Sequence, residues 1–315
     1  ESSALEHAST TPVYGVHAPV YTPNGVAAFG RDQASTKQVW SADEGFPGDG
    51  NYREFYRDIG HELDFDYLRP HMPGDVRADT SIKYHRITGR TAHKDWYKPA
   101  AAREKAAEHA QAFLDQRVAQ VEYLESVMGK SPFVLAPFDA ELFGHWWFEG
   151  PHWLNYLIRK CVHDQDTIEL VTPSDYLDQH PVHACTLPAT STWGHQGYFE
   201  TWINEKNDWI YKCLLSMGEK MQALAVRYQN TKDPRLIRML NQCARELLLA
   251  QSSDWPFIIT NGTSSEYAIR RVKDHSSRFE YFAQAIQSNQ CEELYLQGIE
   301  YMDNLFPSID FKDFV

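Results

Sequence analysis

SPFVLAPFDAELFGHWWFEGP, residues 131–151, decides how this chain is read. Phe133, Val134 and Leu135 form a short apolar run that Pro137 stops, the pattern of a buried strand. Gly150 and Pro151 then open a helix, since proline suits the first helical position. Trp153, Leu154, Leu157, Ile158, Cys161 and Val162 recur along it at helical spacing. Asp139 thus falls just past the C-terminal end of a strand, in a strand–loop–helix unit, where α/β folds place their chemistry. The same loop carries Glu141, His145, Trp146 and Trp147. Carboxylates, an imidazole and two indoles suit a sugar site: aromatic faces stack on pyranose rings and carboxylates act on the glycosidic oxygen. The plainer alternative is a surface acid capping a helix, with tryptophans filling a core.

Outward from this unit, residues 81–87 alternate and predict a strand. Pro99 starts a long helix whose inner face is Ala110, Leu114, Val118, Val121, Leu124 and Met128, closed by Gly129. Residues 168–171 predict another strand, and Pro173-Ser174 a short helix after it. The order strand, helix, strand, helix, strand over 81–180 is repeated βαβ, which implies a parallel sheet and an α/β fold class. Upstream, residues 1–50 are punctuated by Gly, Pro, Asn and Asp and read as loops, with Tyr14, His17, Tyr21 and Trp40 placed to line a cleft or to cover a core edge. Residues 52–68 suggest a short helix with Phe55, Tyr56, Ile59, Leu63 and Phe65 against the core. From about Gly197 the pattern is helical to the end, with Asp233-Pro234 opening one helix and Ser264 or Ser265 the next. Two domains are expected, 1–189 and 190–315.

The chain has 315 residues and a formal net charge of −13. That charge disfavours nucleic acid and anionic membranes as partners, and leaves a neutral glucan unaffected. Nine Trp and 17 Tyr fit stacking on carbohydrate, or large aromatic cores. Five scattered cysteines without a CxxC favour reduced thiols and a cytoplasmic setting. No apolar run reaches about 18 residues, and no signal-peptide pattern opens the sequence. No Gly-rich phosphate loop precedes a helix, and His145 and His152 lack metal-ligand spacing, so no cofactor and no metal are expected.

FDAELFGHWWFEGP resembles the fourth sequence motif of glycoside hydrolase family 57, in the form carried by its 1,4-α-glucan branching enzymes. YGVHAPVYTPNGVAAFGRD, KQVWS and YREFYRDIG, from Tyr14, Lys37 and Tyr52, are similar to the segments before it. STWGHQGYFETWIN and SSDWPF, from Ser191 and Ser252, are similar to those after it. The resemblance implies the later part of a (β/α)7 barrel over 1–189 and an all-α helical domain over 190–315. It implies that Asp139 is the general acid/base, its pKa raised by burial beside Phe138, Phe143 and the tryptophans. Trp193 and Trp202 match aromatic positions of the substrate cleft, and Asp254 a substrate-contacting acid or, alternatively, a loop Asx turn. Trp40 and Trp147 join these as expected substrate contacts. Glu141 would orient a sugar hydroxyl or hold His145, unless it is an Arg-paired structural acid, and His145 would hydrogen-bond a hydroxyl or a carboxylate. Asp139, Trp40, Trp193 and Trp202 are expected to converge on one cleft.

The family's earlier motifs, with a His-x-His and the nucleophilic Glu, have no match in this sequence. The expectation is therefore a branching enzyme represented by its C-terminal part, acting on α-1,4-glucan together with the N-terminal part of the same enzyme and inactive alone. The alternatives are an α-amylase or 4-α-glucanotransferase of the same family, or a non-catalytic glucan-binding fragment.

Overall fold

Pro99 opens the longest helix of the protein and Gly129 ends it, in a computed structural model that describes residues 2–288 and 290–315. The end is set by the backbone. Gly129 adopts φ 66°, a left-handed conformation that lets its N–H reach the Glu125 carbonyl. Helices and extended segments divide into two compact units, 2–190 and 191–315.

Among its described residues the first unit holds seven α-helices: α1 (Ser3–Glu6), α2 (Gln33–Trp40), α3 (Ile59–Glu62), α4 (Phe65–Leu68), α5 (Pro99–Met128), α6 (Gly150–His163) and α7 (Pro173–Gln179). Its sheet is small. β1 (Val20–Tyr21) lies between β2 (Ala27–Ala28), antiparallel to it, and β3 (Ala184–Cys185), parallel to it. Ala102, Ala106 and Ala110 are fully buried, one turn apart on α5. Small side chains there let α6 come close, and Trp153, Leu157 and Cys161 of α6 join them in one core with Phe113, Leu114, Tyr52 and Trp147. The apolar arc of α6 is wider than this core covers: Leu154, Ile158 and Val162, on a neighbouring stripe, stay exposed.

The α/β expectation is met only in part. Among the described residues of 81–180 there is no strand, so the parallel sheet expected there is not part of this structure, and a barrel is not seen in it. The three segments are extended but lack ladders. Phe133 donates to the His17 carbonyl and Leu135 accepts from the Asp32 amide, one bond to each of two separate segments. Arg86 and His85 form only isolated bridges, to Arg53 and Trp96. At Ile168 both backbone groups are taken by one side chain: Gln165 Oε1 accepts its N–H at 2.8 Å and Gln165 Nε2 donates to its carbonyl at 2.9 Å. Residues 52–68 likewise form two single-turn helices rather than one, with Tyr56 outward instead of in the core.

Asp58 fastens the stretch between α3 and residue 80. Its Oδ1 accepts from Gly60 N, Thr80 N and Thr80 Oγ1 at 2.7–3.0 Å. Burial opposes ionisation, but these donors outweigh it and bring the carboxyl to about 2.

The second unit is helical: α8 (Asp208–Tyr228), α9 (Pro234–Ala250), α10 (Asp254–Asn261), α11 (Ser265–Ser288) and α12 (Glu293–Met302). Asp233 caps α9 through its side chain, with Pro234 at the first position. Met217, Met221, Leu240, Leu247, Phe279, Phe282, Leu296 and Phe311 build the core. Helix α9 is central enough that Gln242, Arg245 and Glu246 are buried along with its apolar residues. Buried polar groups need partners, and these have them. Glu246 accepts from His275 Nδ1 at 2.7 Å and from Gln242 Nε2 at 2.7 Å, and Arg278 holds Asp303 at 2.5 Å. Glu246, His275 and Asp303 bring donor atoms within 4.8 Å of one another, but these hydrogen bonds already engage both carboxylates. Burial pushes the Glu246 carboxyl up, against the pull of His275 and Gln242.

Two stability outcomes follow. His275→Ala leaves Glu246 buried without its main donor, and is expected to destabilise the chain by about 3–5 kcal/mol in urea unfolding. A loss under about 1 kcal/mol would show that the network contributes little. Because the Asp58 carboxyl is depressed, its contribution is present above the ordinary aspartate range and is lost as pH falls from about 4 towards 2. Acid unfolding of Asp58→Asn should therefore lack that component; an unchanged acid limb would refute it.

Candidate functional site

The segment that bears the chemistry is a loop folded back on itself. After the extended run, residues Ala140–Leu142 make one 3-10 turn. Trp147 N donates to Leu142 O at 2.8 Å, Trp146 N to Glu141 O at 3.2 Å, and Gly144 N and Gly150 N both to Trp147 O at 2.9 Å. Two glycines permit the fold-back. Gly144 has φ 99°, a conformation that side chains disfavour, and a Cβ at Gly150 would stand 3.0 Å from Phe143 Cα and Cδ1.

These bonds sort the loop's side chains. Trp147 is 1% exposed and packs between Tyr52, Phe143 and Trp153, at ring distances of 5.5, 6.5 and 5.5 Å. It is a core residue, so the expected substrate contact has no face to offer. Trp146 points out instead, 57% exposed, stacked on Phe55 at 5.2 Å with the planes 8° apart. His145 stands edge-on to both rings, 5.4 Å from Phe55 and 5.6 Å from Trp146. Glu141, His145 and Asp139 are exposed. Asp139 precedes the 3-10 turn without a side-chain cap hydrogen bond, which removes the capping alternative. Its exposure also corrects the expected burial beside Phe138 and Phe143, which were to raise its pKa.

Of the remaining expected contacts in the first unit, Trp40 ends α2 and is 46% exposed. Trp193, Trp202 and Asp254 belong to the second unit. Trp193 is 43% exposed. The next residue, Gly194, packs so tightly that a Cβ there would meet Tyr198 O at 2.5 Å and Trp202 Nε1 at 2.9 Å. Trp202 is half-buried, 6.1 Å from the Phe257 ring, and lines a small pocket of about 200 Å³ with Tyr211, Ser252 and Ser253. Asp254 is exposed at the start of α10 and accepts from the Ser252 hydroxyl. Within this unit, then, Trp193, Trp202 and the SSDWPF segment are neighbours.

Sequence reasoning missed Phe55, assigned to the core, and the outward role of Trp146. The signal lay in the alternation of HWWFE, with Trp147 and Glu149 inward, Trp146 and Phe148 outward. Nothing in the sequence told which phase would win.

Residues 214–314 match the family model described as 1,4-alpha-glucan branching enzyme, C-terminal. A 1,4-alpha-glucan branching enzyme of Thermococcus kodakarensis is 34% identical over 292 residues, which are 90% of this chain and 40% of that protein. Among solved structures, the novel alpha-amylase AmyC from Thermotoga maritima superposes with a TM-score of 0.77 at 42% identity, over 99% of this chain and 59% of the other. The GH57-type branching enzyme from Pyrococcus horikoshii does so with 0.74 at 33% identity, over 95% and 53%. The chain spans about half the length of the relatives it matches. Over that part it is similar to a GH57-type branching enzyme and to an alpha-amylase. The family model and the Thermococcus kodakarensis relative both carry the description 1,4-alpha-glucan branching enzyme.

The sorting of the two indoles is testable. Trp147→Ala should cost about 3–5 kcal/mol in denaturant unfolding, as large core truncations do. Trp146→Ala should cost under about 1 kcal/mol, as exposed changes do. Equal losses would mean the loop is held some other way.

Proposed function

We propose that this chain is part of a retaining α-glucan transglycosylase of the branching type, in which Asp139 is the general acid/base. The observation that carries the reading is Asp139 itself: an exposed carboxylate at the end of an extended run, in the same loop as the outward Trp146 and within the motif that resembles the family's fourth. In the branching reaction one carboxylate attacks the anomeric carbon while the acid protonates the leaving oxygen, the two carboxyls lying about 5–5.5 Å apart. The acid, now a base, then takes the proton from the 6-hydroxyl of a second glucan, and an α-1,6 branch forms. The second carboxyl is the family's nucleophile, supplied by the N-terminal part of the same enzyme, since no segment here matches its motif. In this reading Glu141 and His145 hydrogen-bond sugar hydroxyls, Trp40, Trp193 and Trp202 stack on the glucan, and Asp254 contacts it. Residues 1–189 take the place of the later part of a (β/α)7 barrel and 190–315 that of its helical companion. No helix among the described residues is long and apolar enough to cross a membrane. The free thiols suit a reducing, cytoplasmic compartment, and a branching reaction suits a place in glycogen biosynthesis.

Hydrolysis is the second reading, favoured by the higher identity to the Thermotoga maritima alpha-amylase. Amylose treated with an enzyme that carries this segment and the nucleophile motif separates the two. Both lower iodine staining; branching leaves the number of reducing ends unchanged and makes chains that a debranching enzyme releases, whereas hydrolysis raises reducing ends and makes no such chains. Asp139→Asn should cut turnover by about 10²–10⁴-fold with glucan affinity kept. Trp193→Ala should weaken affinity and leave the chemical step. Full turnover in Asp139→Asn would end the acid/base assignment. The 315-residue chain alone should not branch amylose.

A further inference from the structure

Phe148 and Glu149 leave the loop in opposite directions, 42% and 1% exposed. Between them and the first turn of α5 opens a pocket of about 350 Å³, lined also by Arg53, Tyr97, Arg103 and His152. Arg53 lies with its guanidinium 3.7 Å over one face of the Phe148 ring, and its amide donates to Glu149 Oε1 at 3.2 Å. Glu149 Oε2, buried, has no hydrogen-bond partner of good geometry, although Tyr97 leans on the carboxylate. A buried oxygen without a well-aligned donor is costly to keep, and a ligand hydroxyl aimed at Oε2 would relieve it.

The charges tell what kind of ligand fits. Arg53 faces Glu149, and Lys83, at the rim, lies 3.7 Å from Asp58. Those two cations are offset by two carboxylates. Arg103 and His152 are exposed and make no hydrogen bond or ion pair among the described residues. A phosphate would meet Glu149 with a single unmatched cation in its favour. A neutral polyol meets what the pocket offers: an acceptor for a hydroxyl, two donors for hydroxyl oxygens, and the ring of Phe148 for a C–H face. The volume is at the small end of ligand pockets, about 300–1,000 Å³.

We propose that this pocket binds one or two glucose units of an α-glucan, held by Glu149, Arg103, His152 and Phe148. It is an accessory subsite, where no bond is made or broken. The choice of glucose rests on the functional reading above; the choice of a neutral polyol rests on the pocket alone.

Maltose titrated calorimetrically into the 315-residue chain tests it. Arg103→Ala and Phe148→Ala alter exposed side chains, so folding is kept and checked by circular dichroism. Each is expected to weaken maltose binding by about fivefold, the worth of one hydrogen bond or stacking contact. Glu149→Gln, which removes the charge and exchanges one acceptor oxygen for an amide donor, should do the same, and Asp139→Asn should leave affinity within about twofold. Three results overturn the proposal: affinity unchanged in both Arg103→Ala and Phe148→Ala, maltose binding lost on Asp139→Asn, or inorganic phosphate competing with maltose. No maltose binding by the parent chain overturns it too. Failure here is distinct from failure of the functional reading. If turnover needs Asp139 but maltose binding ignores Arg103, only the pocket falls. If maltose binding needs Arg103 but turnover ignores Asp139, only the acid/base assignment falls.

Discussion

Burial of one indole organises the candidate site. Trp147 fills the space between Tyr52, Phe143 and Trp153, and its backbone serves as donor to Leu142 and acceptor for Gly144 and Gly150. With that ring fixed inward, its chain neighbours have no choice of side. Trp146 and Phe148 face solvent, and Glu149 returns to the interior beside Tyr97 and Arg53. A large aromatic side chain withdraws more apolar surface from water than any other residue in the loop, so the phase of the alternation is decided by where it goes. The exposed acids and His145 are consequences of that choice. The same pin joins the loop to α5 and α6, because Trp153 shares its core with Ala106, Ala110 and Phe113.

The second unit solves a different problem. A helix at the centre of a bundle has no solvent face, yet α9 carries Gln242, Arg245 and Glu246. Each is answered by a group from outside α9. His275 of α11 meets Glu246, the Asp303 carbonyl after α12 accepts from Gln242, and the carbonyls of Leu305 and Phe306 take Arg245. A directional network of this kind ties the helices in one register, where an all-apolar seam would tolerate sliding.

Helices were legible because their signals are local. Pro99, Gly129, Pro151 and Asp233-Pro234 mark ends through the geometry of one or two residues, and the structure places helix ends there. Strands were not, because an apolar run announces burial but a ladder needs a partner that the run does not encode. Phe133 is buried as read, and yet it forms no strand. The candidate site divides in the same way. That residues 139–149 hold the chemistry could be read from their types. That Trp147 rather than Trp146 is interior could not, since both are tryptophan and only the surrounding packing separates them. The stacking of Phe55 on Trp146 joins positions 55 and 146, and long-range pairing of that sort leaves no trace in a single sequence.

Gln165 has a bearing on how the chain behaves among copies of itself. Thr-Ile-Glu-Leu-Val, residues 167–171, is an extended run rich in β-formers, the kind of segment on which a second chain adds as a strand. The Gln165 amide occupies both backbone groups of Ile168. An incoming strand would have to evict an intramolecular partner before it could make its first pair of bonds on that edge. The side chain thus blunts that edge by occupying the template instead of charging it.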